Sequence, residues 1–128
     1  MLKKARPDVK IVVAEPEGAA LLSGQEWKPH KIQGWTPNFI PEVLDRNIYD
    51  EIVTVSDTES RDTARDLSMK EGIFCGISSG GTFAAAKKVA AKAPKGAVIL
   101  AMLPDTGERY LSTILFEGIN EGTDEVPA

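Results

Sequence analysis

Uninterrupted apolar runs constrain the fold of this chain more than any other feature of its sequence. Lys10–Pro16 and Ala97–Leu103 each contain such a run, bounded by polar or turn-forming residues. Strands with this pattern are buried on both faces, as in a parallel sheet that helices cover on each side. Glu51–Val55 and Ile73–Ile77 predict two further strands, so the sequence indicates a sheet of four.

Segments of helical character separate these predicted strands. Helices are predicted over Asp57–Lys70, Thr82–Lys92 and Glu108–Phe116, after a first helical turn at Leu2–Arg6 that Pro7 ends. Ser56 and Glu59 have the spacing of a capping box, and Gly72 is well placed as a left-handed C-cap. Because strands alternate with helices, we expect an α/β fold with a mostly parallel sheet and flanking helices.

Size and charge narrow the class of protein. The chain has 128 residues, 42% of them hydrophobic, which suffices for one domain with a core. Its formal net charge of -4 argues against nucleic acid or an anionic membrane as partner. Cys75 is the single cysteine, which excludes an internal disulfide and indicates a reducing compartment. No apolar run has the length of a membrane span, and we expect a cytoplasmic protein.

A long polar stretch follows the first predicted strand. Glu17–Pro41 is rich in turn-forming residues, yet it also carries two tryptophans and a phenylalanine, which argues against disorder. Such a loop suits an active-site lid, whereas the simpler interpretation is a surface loop that packs on the domain. His30 lies in it, but the sequence around His30 lacks the ligand spacing of a metal site, so we predict no metal.

The sharpest local signal is the segment Gly76–Gly81, with the sequence GISSGG. It lies where a predicted strand meets a helix, at the carboxyl edge at which open α/β sheets bind ligands. A helix start offers unpaired N–H groups, serine offers hydroxyls, and glycine permits close approach. An ordinary strand–helix turn with a serine N-cap and no ligand explains the same sequence about equally well.

A third segment, Leu103–Ser112, carries charged residues after the last predicted strand. Asp105 could cap the final helix, and Arg109 could pair with a nearby carboxylate; a structural role is favoured for both. Cys75 lies in an apolar segment and is predicted to be a buried, unreactive thiol.

Together these segments resemble the cysteine synthase family, also called O-acetylserine sulfhydrylases. The matching stretches, in the family's order, are KIVVAEPEGAALLSG, PHKIQG, FIPEVLD, DEIVTVSDTESRDTARDLSMKEGIFCGISSGGTFAAAKKVA and LPDTGERYLSTILF. They cover Leu2 to Phe116 and resemble the C-terminal portion of the family. The resemblance implies that residues 1–116 form part of the larger domain of a tryptophan-synthase-β-like fold that binds pyridoxal 5'-phosphate (PLP). Residues 117–128 would form an acidic, glycine-containing tail.

The resemblance also implies a reaction and two site residues. In the family, O-acetylserine loses acetate and sulfide replaces it, which gives cysteine. The first serine of the family's GISSG motif hydrogen-bonds the pyridine nitrogen of PLP, and here that serine is Ser78. A hydroxyl does not stabilise a protonated pyridinium as a carboxylate does, which favours β-elimination over transamination. Gly34 matches the first glycine of the family's QGIGAG loop beside the substrate.

The chain departs from the family in two respects. Trp35, Thr36 and Pro37 follow Gly34 where much of the family has small residues, which puts the identity of the acceptor nucleophile in question. The lysine that binds PLP covalently, the Asn-containing substrate loop and the phosphate cradle have no counterpart here. The resemblance therefore implies a non-covalent PLP contact, no catalytic residue on this chain, and no activity from the chain by itself.

Three hypotheses follow from this resemblance. The favoured one is the C-terminal part of a homodimeric cysteine synthase, truncated or complemented by a separate N-terminal piece. The second is an interaction module that retains a surface for serine acetyltransferase or for such a piece. The third is a cystathionine β-synthase relative, against which KIQG and GERYLST argue. Because part of a sheet exposes an edge and apolar faces, we also expect the chain alone to associate.

Overall fold

The computed structural model describes residues 1–119. In chain order its elements are helix α1 (Leu2–Ala5), strand β1 (Val12–Pro16), a 3-10 turn (Glu17–Ala19), strand β2 (Glu51–Val55), helix α2 (Asp57–Glu71), helix α3 (Ile77–Ala90) and a second 3-10 turn (Glu108–Tyr110). The two strands pair in parallel, with Val12 opposite Glu51 and Pro16 opposite Val55. The predicted α/β architecture with a parallel sheet and flanking helices is therefore confirmed.

The start and end of α2 confirm the predicted caps. The Ser56 hydroxyl accepts from the Glu59 N–H at 3.1 Å, and the Glu59 carboxylate accepts from the Ser56 N–H at 2.8 Å. Gly72 ends the helix in the left-handed conformation, with φ of 69°. The reciprocal bonds satisfy two N–H groups that every helix start leaves without an intrahelical partner.

Lys88 on α3 ties the helices to the sheet. Its ammonium donates to the Thr54 carbonyl at 2.9 Å and to the Glu59 carboxylate at 3.0 Å. The hydrogen bond from Lys88, followed by the one from the Ser56 N–H, holds the pKa of Glu59 below its usual value. Because both charged side chains are partly exposed, this ion pair contributes little free energy.

The core lies between the sheet and the two long helices. α2 contributes Ser60, Ala64 and Leu67, which repeat at helical spacing along one buried face. The hydrophobic core consists of Ile32, Val55, Ala64, Leu67, Cys75, Ile77, Ala84, Ala85, Leu115 and Phe116. Residues from the long loop and from the C-terminal turns therefore complete a core that the helices begin.

The third predicted strand, Ile73–Ile77, is wrong. Only Cys75 pairs there, in an isolated antiparallel bridge with Thr106. Two hydrogen bonds flank that bridge, from the Gly107 N–H to the Phe74 carbonyl and from the Gly76 N–H to the Asp105 carbonyl, each at 3.2 Å. The segment is too short to extend as a strand because α3 begins at Ile77.

The fourth predicted strand, Ala97–Leu103, is also wrong for the described chain. Val98 is 98% exposed and Leu100 is 93% exposed. A strand needs a neighbour to pair its N–H and C=O groups, and within residues 1–119 none lies beside this segment. Most of the apolar run is therefore exposed, although Leu103 at its end packs against the core.

The last predicted helix, Glu108–Phe116, is reduced to the 3-10 turn at its start. Arg65 on α2 binds the carbonyls at the C-terminal end of this segment. Its guanidinium donates to the carbonyls of Ile114 at 3.0 Å, Leu115 at 2.7 Å and Glu117 at 2.8 Å. These bonds anchor the C-terminal turns to α2. Most of the predicted tail, 117–128, lies outside the described residues, and the division at residue 116 stays a prediction.

Within residues 1–119, no helix combines the length and the apolar character that crossing a membrane requires.

Ser56→Ala should lower the free energy of unfolding by about 1 kcal/mol, because it leaves the Glu59 N–H without its cap. Urea denaturation followed by circular dichroism measures the change. Ser68→Ala is the matched control, since Ser68 lies inside the same helix and its side chain has no described hydrogen bond. Equal destabilisation by the two variants would contradict the role of the cap.

The largely exposed run Ala97–Leu103 should cause the chain to self-associate at high protein concentration, because exposed apolar side chains bury one another. Light scattering after size-exclusion chromatography measures the mass. Replacing Val98 and Leu100 together with threonine should reduce association, whereas Val43→Thr, at another exposed valine, should not. A monomeric chain with a cooperative melt at every concentration would rule this out.

Candidate functional site

Ser78 lies within the first turn of α3 and not in a turn that precedes it. The predicted helix start at Thr82 is therefore five residues late, and the segment Ser78–Gly81 is helical. Gly76 is the N-cap, with φ of -74° and ψ of 170°, and its carbonyl accepts from the Gly80 N–H at 3.2 Å. The Ser78 carbonyl in turn accepts from the Thr82 hydroxyl at 3.1 Å.

The Ser78 hydroxyl has no hydrogen-bond partner among the described residues, although the residue is only 5% exposed. In that part of the chain, Asp105 Oδ1 is the one fully enclosed side-chain polar atom that lacks a partner. The Ser78 oxygen is therefore not fully enclosed. It lies beside the unpaired N–H groups of a 14-residue helix, where the helix dipole is positive. A hydroxyl in this setting can serve a ligand nitrogen or an anion.

Glycine is required at Gly80 and Gly81 because other groups occupy the space of a side chain. A Cβ on Gly80 would overlap the Ser60 carbonyl and lie 2.6 Å from the Ala64 nitrogen of α2. A Cβ on Gly81 would lie 2.8 Å from the Trp35 ring. Glycine is a poor helix former, so here close packing outweighs helix propensity.

The loop that carries Gly34 folds onto α3. Gly34 and Thr36 both adopt positive φ, of 84° and 35°. The Thr36 carbonyl accepts from the Trp27 indole N–H at 3.0 Å and lies 3.4 Å from the His30 Nε2. Trp35 between them rests on Gly81, so the segments of Gly34 and Ser78 meet through this contact.

His30 has a structural part in that loop. Its Nδ1 accepts from the Ile32 N–H at 3.3 Å, which leaves the proton on Nε2, the nitrogen that faces Thr36. The Trp27 ring packs edge-on against it, with centroids 6.4 Å apart. Within residues 1–119, no group of three or more histidine, cysteine, aspartate or glutamate side chains is arranged to hold a metal ion.

An apolar cavity of about 210 Å³ lies between β1, the loop and α3. It is lined by Val12, Ala14, Trp35, Thr82, Ala85, Ala86 and Val89. Ser78 is one turn before Thr82 and is not among the lining residues. The cavity thus adjoins the candidate site but does not contain it.

The segment that follows the apolar run supports the start of α3. Asp105 does not cap the final helical turn as predicted, because its carboxylate accepts from the Tyr110 hydroxyl. Arg109 has no carboxylate partner among residues 1–119, so that prediction is also wrong there. Cys75 is buried as expected, and burial, followed by the charge of Asp105, raises the pKa of its thiol. A thiol with a raised pKa is a poor nucleophile.

Sequence reasoning missed one buried carboxylate. Glu15, 2% exposed, accepts from the N–H groups of Leu22 and Ser23, each at 3.0 Å, and from the Ser23 hydroxyl at 2.5 Å. It thereby fixes the start of the long loop. A charged residue near the end of an apolar strand was the available signal, because buried charges require partners.

Residues 1–105 match the protein family described as pyridoxal-phosphate dependent enzyme. The chain is 57% identical over 125 residues to an O-ureido-L-serine synthase of Streptomyces lavendulae, which covers 98% of this chain and 39% of that protein. It is 44% identical over 116 residues to a cysteine synthase of Staphylococcus aureus, covering 91% and 37%. A crystal structure of O-acetyl serine sulfhydrylase isoform 3 from Entamoeba histolytica matches with a TM-score of 0.89 at 41% identity, over 95% of this chain and 37% of that one.

The chain belongs to the family of pyridoxal-phosphate dependent enzymes, with the tryptophan-synthase-β-like fold. Within that family its relatives include cysteine synthases and an O-ureido-L-serine synthase, which confirms the resemblance seen in the sequence. The chain spans 39% of the one relative and 37% of the other.

Gly80→Ala should lower the free energy of unfolding by about 1–3 kcal/mol, because its methyl group would push α3 away from α2. Thermal unfolding followed by circular dichroism measures the loss. Gly18→Ala is the matched control, since a Cβ there would find its nearest neighbour, the Pro29 carbonyl, at 3.9 Å. An unchanged or raised melting temperature for Gly80→Ala would contradict the packing argument.

Proposed function

We propose that this chain forms the part of a PLP-dependent β-replacement enzyme that contacts the pyridine nitrogen of the cofactor through Ser78. The observation that carries the proposal is the Ser78 hydroxyl, which lies in the first turn of α3 without a partner among the described residues. A hydroxyl that can donate or accept fits a ring nitrogen. The description of the matching family supplies the class of cofactor.

The residues of this chain would shape one side of the site. PLP, when bound, supplies the electron withdrawal that lets a group leave the β-carbon of an amino acid. Ser78 would hold the ring nitrogen without a carboxylate's negative charge, which keeps the ring a moderate electron sink. The loop around Gly34, packed on α3 through Trp35, would form a wall beside the substrate.

We propose that no lysine of this chain binds PLP covalently. Lys88 on α3 is held by the Thr54 carbonyl and the Glu59 carboxylate, so its ammonium is engaged in the fold. We propose that the chain alone is inactive and that the attaching lysine belongs to a part of the enzyme that this chain does not span. From the family resemblance we propose that the whole enzyme is a homodimer, and from the single cysteine of this chain that it is cytoplasmic.

The substrate would be L-serine activated at its side-chain oxygen, with O-acetylserine as the first candidate. Sulfide as the replacing nucleophile would give cysteine. Hydroxyurea would give O-ureido-L-serine, and the higher identity to the Streptomyces lavendulae protein favours this second product. An interaction module for serine acetyltransferase is not favoured, because the relatives are named as synthases.

The test mixes this chain with the part of the Streptomyces lavendulae enzyme that it does not match. Neither piece alone should form product, whereas the mixture should bind PLP and convert O-acetylserine with sulfide or hydroxyurea. Visible absorbance reports PLP binding, and mass spectrometry identifies the product.

Ser78→Ala in the mixture should weaken PLP binding about tenfold, because it removes the hydrogen bond to the ring. Ser68→Ala is the control and should have no effect. Unchanged PLP affinity in Ser78→Ala would refute the proposed contact.

A further inference from the structure

Asp105 reaches the α3 start from outside the helix. Its main-chain carbonyl accepts from the Gly76 N–H at 3.2 Å and from the Ser79 hydroxyl at 3.3 Å. Gly76 precedes Ser78 by two residues and Ser79 follows it directly. A single carbonyl therefore holds the chain on both sides of the proposed cofactor residue.

The carboxylate of Asp105 packs against the same turn. A Cβ on Gly76 would overlap Asp105 Oδ1 and lie 2.6 Å from the Tyr110 ring, so glycine at 76 is what admits both side chains. Asp105 Oδ1 is enclosed there and has no partner among residues 1–119. The side chain thus fills the space beneath the helix start.

Tyr110 fixes the carboxylate. Its hydroxyl donates to Asp105 Oδ2. That hydrogen bond, followed by burial, raises the pKa of Tyr110, so the hydroxyl keeps its proton and remains a donor. The Tyr110 N–H in turn donates to the Gly107 carbonyl at 3.0 Å, which closes a turn between Gly107 and Tyr110.

We propose that Asp105, held by Tyr110, is the positioning residue that sets where Ser78 presents its hydroxyl to the cofactor. The inference rests on the proposed function of Ser78. Asp105 acts through the backbone, because its hydrogen bonds reach Gly76 and Ser79 and none reaches the Ser78 hydroxyl. It is therefore a positioning residue and not a catalytic one.

The first experiment measures local opening in the full chain by amide hydrogen exchange. Tyr110→Phe keeps the ring but removes the donor, and it should speed exchange of the Gly76 and Gly80 amides about tenfold. Amides in the middle of α2 should keep their rates. Tyr49→Phe is the matched control, since the other tyrosine of the chain has no described hydrogen bond from its hydroxyl.

Variants of Asp105 separate its hydrogen-bonding role from simple packing. Asp105→Asn keeps an oxygen that can accept from Tyr110 and should preserve most of the protection at Gly76. Asp105→Ala loses that acceptor and should expose the amide as Tyr110→Phe does. Loss of protection across α2 as well, or no change at Gly76, would overturn the proposal.

The second experiment is a double-mutant cycle on PLP affinity in the mixture with the relative's complementary part. If Asp105 and Tyr110 act through Ser78, Tyr110→Phe should weaken PLP binding severalfold with Ser78 present and have no effect in a Ser78→Ala background. A merely structural role would weaken binding equally in both backgrounds, and that result would overturn the positioning role alone. PLP affinity that is absent, or indifferent to Ser78→Ala, would instead refute the proposed function and leave Asp105 nothing to position.

Discussion

Close packing of α3 on α2 is the constraint on which the rest of this structure depends. Gly80 lies against the Ser60 carbonyl and Ala64, at a distance that leaves no room for a side chain. Ser60 is fully buried there, and its hydroxyl is satisfied because it donates to the Ser56 carbonyl at 3.0 Å. The first turn of α2, which holds the capping box, is thus directly followed by the small residues against which α3 packs.

Two further segments of the chain reach the start of α3. The long loop reaches it through Trp35 on Gly81, and the C-terminal segment reaches it through Asp105 and Tyr110. Lys88 fixes the other end of the helix to β2 and to Glu59. A serine in the first turn is therefore flanked by contacts from the long loop and from the C-terminal segment, which suits the proposed contact with a rigid aromatic cofactor.

Much of this arrangement was predictable where the signal is local. The caps of α2, the bounds of β2 and the burial of Cys75 follow from residues that neighbour one another in sequence. The structure of Ile73–Ile77 and Ala97–Leu103 was not predictable. An apolar run indicates that a segment avoids water, but it does not indicate which neighbouring strand, if any, pairs with it. The final helix was also not predictable: the end of that segment is held by Arg65, about 50 positions earlier in the sequence.

The sequence by itself determined the family, the parallel α/β class and the candidate residue Ser78, because these reside in short motifs whose order is specific. Only the tertiary structure decided that Ser78 lies inside the helix and that Trp35 rests on Gly81. It also decided that the Asp105 carbonyl accepts hydrogen bonds from the residues on both sides of Ser78. The last two of those facts depend on segments that meet although they are far apart in sequence. The physical reason is that packing distances and long-range hydrogen bonds exist only once the chain has folded. The sequence determines them only through the fold as a whole.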